Sequence, residues 1–181
     1  MKYTIESLIT RQENGEILDF LHFWGHTNKN DFATAACLSQ WWVQPFVVAG
    51  VTYPTAEHWM MAKKALLFGD DDALAQILNC QLPSDAKAIG RNVKNFDQEV
   101  WEKHRFEFVR DGNIHKFGQN EAIKALLLDT HTRVLVEASP FDTVWGIGLG
   151  ANHKNAHNPA AWNGLNLLGF ALMEARDFLS I

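Results

Sequence analysis

The sequence predicts a single α+β domain, mainly helical with a small β-sheet, and three observations carry that prediction. Short runs rich in β-branched and aromatic residues occur only in the first third of the chain and again near residue 135. The remaining segments carry helix-forming residues behind Asp, Asn or Ser at cap-like positions. No internal repeat, low-complexity run or linker divides the 181 residues, so one domain is expected over 1–181.

In order along the chain, residues 17–24 (ILDFLHFW) and 41–53 (WWVQPFVVAGVTY) read as strands, the second as a hairpin turning at Ala49-Gly50. A helix follows over 55–68, with Thr55 as N-cap and Gly69 beyond its end. Segments 72–80, 84–91, 97–111 and 120–129 read as further helices. Strand character returns at 133–137 and at 144–147, before the Gly/Asn loop 146–164. Long ordered loops inside compact domains are disproportionately functional. From 165 to 179, Leu165, Leu168, Leu172, Met173 and Leu179 form the stripe of an amphipathic helix. Arg176 lies on that stripe and is expected to pair with a buried carboxylate.

Composition narrows the chemistry. A net charge of −5 and a pI near 5.9 imply no broad basic face for duplex DNA, so any phosphate must be held locally. Seven Trp and twelve Phe exceed what a minimal core needs, and surplus aromatics often line pockets for flat ligands. Cys37 and Cys80 have no metal-ligand spacing and read as reduced and structural. Neither a secretory leader nor a run of about 18 apolar residues is seen, which makes the cytoplasm the expected location.

Glu57, Met61, Lys64 and Phe68 share one face of the 55–68 helix. An acid in the first turn is favoured by the macrodipole and a later lysine is commonly solvated, so spacing leaves structural and functional roles open. Glu137 and Asp142 bracket the turn EASPFD beside Trp145 and the run GIGLG, where carboxylates also serve as turn formers. GIGLG lacks the third glycine spacing and the following helix of a dinucleotide fingerprint. His153 and His157 sit four apart among Asn and Pro residues that argue loop, not a metal-binding helix. Arg91, after Gly90, has a guanidinium suited to phosphate, to which Lys64 would add a point charge; surface salt bridging is the alternative.

Seven stretches occur together in order: FWGH (23–26), LSQWW (38–42), GVTYPTAEHWMMAKKALLFGD (50–70), AKAIGR (86–91), KFGQN (116–120), LVEASPFDTVWGIGL (135–149) and WNGLNLLGFALMEAR (162–176). From about Phe20 to Leu179 the chain resembles the NADAR family, whose YbiA-like members are N-glycosidases. The resemblance implies a single YbiA-like domain. It implies hydrolysis of the N-glycosidic bond in phosphorylated ribosylamino-pyrimidine intermediates of riboflavin biosynthesis, releasing ribose 5-phosphate and free base. Two alternatives stand beside it: an ADP-ribosyl hydrolase acting on nucleobases or NAD-related molecules, and a non-catalytic ADP-ribose or nucleotide-binding module.

The acid of the family's T-x-E-H motif corresponds to Glu57, and Trp24, Lys64, Arg91, Asp142, Trp145, Gly146 and Asn166 occupy the other motif positions expected to face substrate. Glu57 is assigned to stabilising a ribosyl cation and orienting water, and Asp142 to ordering ribose hydroxyls or helping to protonate the leaving base. Whether Asp142 or Glu137 is the second carboxylate stays open. Lys64 and Arg91 would hold phosphate, Asn166 a ribose hydroxyl, and Trp24 and Trp145 would stack on the pyrimidine, core packing being the alternative for the two rings. No cofactor and no metal is expected, the partner being a small ribosyl phosphate. Nucleic acid enters only as an ADP-ribosylated substrate, no membrane is involved, and the oligomeric state is undetermined. Two stretches depart from many YbiA-like proteins: Leu38-Ser39-Gln40-Trp41 stands for F-S-N-F, and Met61 for a glutamine. Both changes bear on substrate choice more than on bond cleavage.

Overall fold

The computed structural model describes residues 1–26 and 34–180. It is an α+β fold dominated by helices, as the sequence predicts, and the chain forms two compact units. The first comprises Met1–Ser39 with Ala122–Ile181, and the second Gln40–Glu121. Among the described residues the small sheet is two separate two-stranded pairs, one in each unit.

In the first unit, β1 (Phe20–Phe23) pairs in parallel with β4 (Val134–Glu137), and α7 (Leu167–Leu179) packs on β4. Val134, Leu135 and Val136 are almost wholly buried, the continuous apolar run expected of a parallel strand covered on both faces. The unit also contains α1 (Ile5–Glu13) and α6 (Glu121–Leu128), the latter beginning at the boundary residue. Helix α1 is absent from the sequence-based assignment, although its start has a capping box: the Thr4 hydroxyl accepts the Ser7 N–H and the Ser7 hydroxyl accepts the Thr4 N–H, both at 3.1 Å. Serine in place of the usual Glu or Gln at the third helical position hides that signal.

In the second unit, α2 (Ala56–Leu67) is the central element, packed against α3 (Asp71–Asn79), α4 (Pro83–Arg91) and α5 (Gln98–Gly118). The strands β2 (Phe46–Val48) and β3 (Val51–Tyr53) form the expected hairpin, but residues 41–45 lie outside it. Ala49 and Gly50 both have positive φ, 50° and 81°, the signature of the type I′ turn that suits strand twist. Asp70 and Asp97 cap α3 and α5, whereas α4 starts at Pro83 after Leu82, which makes no side-chain cap bond.

Helix α5 runs seven residues past the expected end at 111, straight through Gly112. That glycine is required by packing. A β-carbon there would lie 2.4 Å from Trp59 Cδ1, and the indole Nε1 donates to the Phe108 carbonyl of the same helix at 2.7 Å.

Two other expectations are corrected. Residues 144–147 form no strand, because the first two carbonyls serve a helix end: Val144 and Trp145 accept the N–H groups of Leu168's turn, from Leu167 at 3.3 Å and Leu168 at 3.1 Å. Arg176 is 5% exposed, yet its Nη1 donates to the Thr130 hydroxyl at 2.8 Å and the Arg133 carbonyl at 2.9 Å, not to the carboxylate expected. Burial holds its pKa below the ordinary value. Cys37 and Cys80 are in no disulfide, and no helix among the described residues is long and apolar enough to cross a membrane.

Candidate active site

The acid singled out in the sequence sits where α2 begins. The Thr55 hydroxyl accepts the His58 N–H at 3.3 Å, and lies 2.8 Å from His58 Nδ1. Burial pushes the His58 pKa down from 6.5, while the backbone near Cys80 and the charge of Asp85 act weakly the other way. Glu57 is 3% exposed, and its N–H donates to the Gln40 carbonyl at 3.0 Å. The positive end of the α2 macrodipole favours a negative charge at this position.

Two turns on, Lys64 is half-buried and donates from Nζ to the Gly90 carbonyl at 2.8 Å. Its ammonium lies 4.1 Å from the Phe96 ring centre and 5.6 Å from that of Trp101, and burial pushes its pKa down. The carbonyl it caps belongs to the last turn of α4, a site the helix dipole makes attractive to cations. Arg91 is the next residue and is exposed. The structure therefore brings Lys64 to the peptide preceding Arg91. Gly90 permits this approach because its missing side chain leaves room for Met61: a β-carbon would stand 2.0 Å from Met61 Sδ. The departure at Met61 thus fills the contact between α2 and α4.

The other motif residues lie in the first unit, after the ends of β1 and β4. Parallel pairing carries both strand ends to one edge. Trp24, just beyond β1, is 59% exposed, and its ring centre lies 6.3 Å from that of Phe141, which is 85% exposed. Phe141 is absent from the sequence-based candidates; the signal available was an aromatic residue wedged between Pro140 and Asp142 in a turn.

Asp142 shapes the turn that follows. Its Oδ1 accepts the N–H groups of Val144 and Trp145, both at 2.8 Å, and among the described residues its Oδ2 has no hydrogen bond. Trp145 is half-buried. Gly146 is buried where any side chain would collide: a β-carbon would stand 2.8 Å from the Glu137 carbonyl oxygen and 3.0 Å from that of Asp142.

Asn166 is fully buried at the start of α7, with a left-handed φ of 52°. Its Oδ1 accepts the Glu137 N–H at 3.0 Å, and its Nδ2 donates to the Leu135 carbonyl at 2.9 Å. The amide is committed to β4, which explains why it makes no cap bond to its own helix. The second unit thus offers a buried carboxylate and two cations on α2 and α4, and the first offers an exposed aromatic pair and a carboxylate-braced turn.

Comparison with known proteins places these residues in one family. The NADAR domain family matches residues 22–180, a span that contains all eight candidate positions. The chain is 41% identical over 160 residues to N-glycosidase R617 of Acanthamoeba polyphaga mimivirus, covering 86% of this chain and 94% of the relative. It is 31% identical over 156 residues to N-glycosidase YbiA of Escherichia coli strain K12, covering 86% and 87%. The NMR structure of the E. coli protein YbiA superposes with a TM-score of 0.70 at 28% identity, over 91% of this chain and 88% of that one. By sequence and by fold, the chain belongs to the NADAR domain family.

Proposed function

We propose that this protein is an N-glycosidase that hydrolyses phosphorylated ribosylamino-pyrimidines, the intermediates of riboflavin biosynthesis, to ribose 5-phosphate and the free pyrimidine. The names of its relatives support hydrolysis of an N-glycosyl bond. The observation that carries the residue assignment is Glu57, an acid 3% exposed in the first turn of the helix whose same face holds Lys64.

The reaction breaks the bond between the anomeric carbon and nitrogen, forms a bond from that carbon to a water oxygen, and delivers a proton to the leaving nitrogen. Positive charge develops on the ribosyl carbon, so a fixed carboxylate shielded from water stabilises the transition state more than the ground state. Glu57 fills that role and orients the attacking water. Lys64 and Arg91 would anchor the 5-phosphate, Lys64 with the N–H groups not given to Gly90 and Arg91 with an exposed guanidinium. The seven residues from Glu57 to Lys64 rise about 10 Å along the helix, a separation that two long side chains narrow toward the span of a phosphorylated pentose.

Asp142 is assigned to ribose ordering or leaving-group protonation through Oδ2. Trp24, with its neighbour Phe141, and Trp145 are assigned to stacking on the base. Asn166 and Gly146 act by fixing the β4 edge and the turn after it. The cytoplasm is the proposed location.

The test is incubation of purified protein with 5-amino-6-ribosylaminouracil 5-phosphate and, separately, with an ADP-ribosylated nucleobase, following released sugar by mass spectrometry. Ribose 5-phosphate from the first alone is the expected result. Release of ADP-ribose alone would move the activity to ADP-ribosyl hydrolysis, and saturable binding without release would make the protein a binding module. Glu57→Gln should retain the fold and lose roughly 100- to 10,000-fold in kcat; a wild-type rate would remove Glu57 from the mechanism.

A further inference from the structure

Beside Glu57 lies a polar side chain to which the roles above give no work. Gln40 is 6% exposed, both polar atoms of its carboxamide are sealed from solvent, and neither has a hydrogen bond among the described residues. Its main chain, by contrast, is engaged, since its carbonyl accepts the Glu57 N–H at 3.0 Å. The idle amide therefore hangs from the residue that fixes the acid's backbone. Two residues on, the Trp42 indole Nε1 is likewise buried with no hydrogen-bond partner among the described residues. Folded proteins pair nearly all such groups with protein or water, so two left over beside the candidate acid call for an explanation.

We infer that Gln40 is a specificity-determining residue that reads the leaving base through paired hydrogen bonds, donating to a ring carbonyl and accepting from the adjacent ring N–H. The inference rests on the N-glycosidase reading and names the class of base. A carboxamide presents one donor beside one acceptor, and its complement is an N–H beside a carbonyl. A pyrimidinedione carries that edge, with a second carbonyl on the far side of the N–H. Gln40 and Trp42 together hold one acceptor and two kinds of donor, which match one N–H and two carbonyls in number. The departure at this position lengthens the side chain by one methylene over asparagine while keeping the amide, so it shifts the reach of recognition and preserves its chemistry.

The test uses Gln40→Met, close in shape but without the amide, and Gln40→Asn, which keeps it. Each is assayed with 5-amino-6-ribosylaminouracil 5-phosphate and with its analogue methylated at the ring nitrogen between the two carbonyls. Thermal melting of each ligand-free protein is recorded alongside. Gln40→Met should melt at or above the wild-type temperature and lose roughly 10- to 100-fold in kcat/KM on the parent substrate. It should also lose most of the wild-type preference for the parent over the methylated analogue, and Gln40→Asn should recover part of that preference. An unchanged kcat/KM in Gln40→Met would overturn the inference. So would a lowered melting temperature with both substrates impaired equally, which is the signature of a structural amide bonded to internal water.

If the wild-type protein cleaves neither substrate, the proposed activity fails separately, and the base site is then read by binding. Free 5,6-diaminouracil should raise the melting temperature of wild type and not of Gln40→Met, and no shift in wild type would sink the inference too.

Discussion

Replacing Gly112 by alanine sets intrinsic helix propensity against packing, and the structure decides the winner. Gly112 lies within the 21-residue α5, where alanine should stabilise by about 1 kcal/mol. The added methyl, however, would stand 2.4 Å from Cδ1 and 2.7 Å from Nε1 of Trp59, a rigid ring only 5% exposed. Overpacking of this kind costs about 1–3 kcal/mol. Displacing the indole also breaks its 2.7 Å bond to the Phe108 carbonyl, and a stranded buried donor costs about 1–3 kcal/mol more. The balance is a net loss of roughly 1–5 kcal/mol, or about 2–20 °C in melting temperature for a chain of this size. Urea denaturation of wild type, Gly112→Ala, Trp59→Phe and the double variant measures it. In the Trp59→Phe background the alanine should become neutral or stabilising, giving a coupling of about 2 kcal/mol or more. A Gly112→Ala protein as stable as wild type, or a penalty that survives in Trp59→Phe, would refute the packing argument.

Three further outcomes are expected. Asn166→Ala removes both bonds from α7 to β4 and strands the Glu137 N–H and Leu135 carbonyl, costing roughly 2–4 kcal/mol by urea denaturation; a loss below about 1 kcal/mol would mean that the amide does not hold the edge. Burial holds the pKa of His22 and of His58 below the ordinary 6.5, with the nearby His157 also lowering that of His22, so well above 6.5 both histidines are neutral in folded and unfolded chains and contribute nothing. Below that the unfolded chain gains protons that the folded one resists, so stability should fall between pH 6.5 and 5.5 by up to about 1 kcal/mol for His58 and by less for the half-buried His22, and a urea midpoint that is flat or rises on acidification would contradict this. Asp142→Asn keeps the oxygen that braces Val144 and Trp145 while removing the charge, so it should lose roughly 100-fold in kcat with little change in melting temperature; a wild-type rate would reduce Asp142 to a turn former.

The elements that sequence alone located well are those whose signals are local. Thr55, Asp70 and Asp97 each announce a helix through a side chain that bonds an amide three residues on, and Ala49-Gly50 announces a two-residue turn. The misplacements share the opposite property. Gly112 reads as a helix end because its reason to exist, the indole of Trp59, lies 53 residues away in sequence. Residues 144–147 read as a strand because Val-Trp has strand propensity, yet the carbonyls of Val144 and Trp145 are taken by the amides that begin α7. Helix α1 was lost to an atypical residue in its capping box.

For the candidate site, sequence found positions and could not find tasks, since a task depends on which atoms of a side chain are already spent. Asn166 shows the distinction: its place in a motif fits a substrate ligand, but both amide atoms are consumed by β4, so its contribution is to aim the Glu137 edge. Asp142 has spent one oxygen on the turn and keeps the other, which leaves it able to be both framework and reactant. Gln40 is the inverse of Asn166, a buried amide with its backbone employed and its side chain idle. Burial by itself would class the two amides together. The hydrogen-bond inventory separates them, because a sealed amide with neither bond made lowers stability unless a ligand completes it, whereas one with both bonds made has nothing left to offer a ligand.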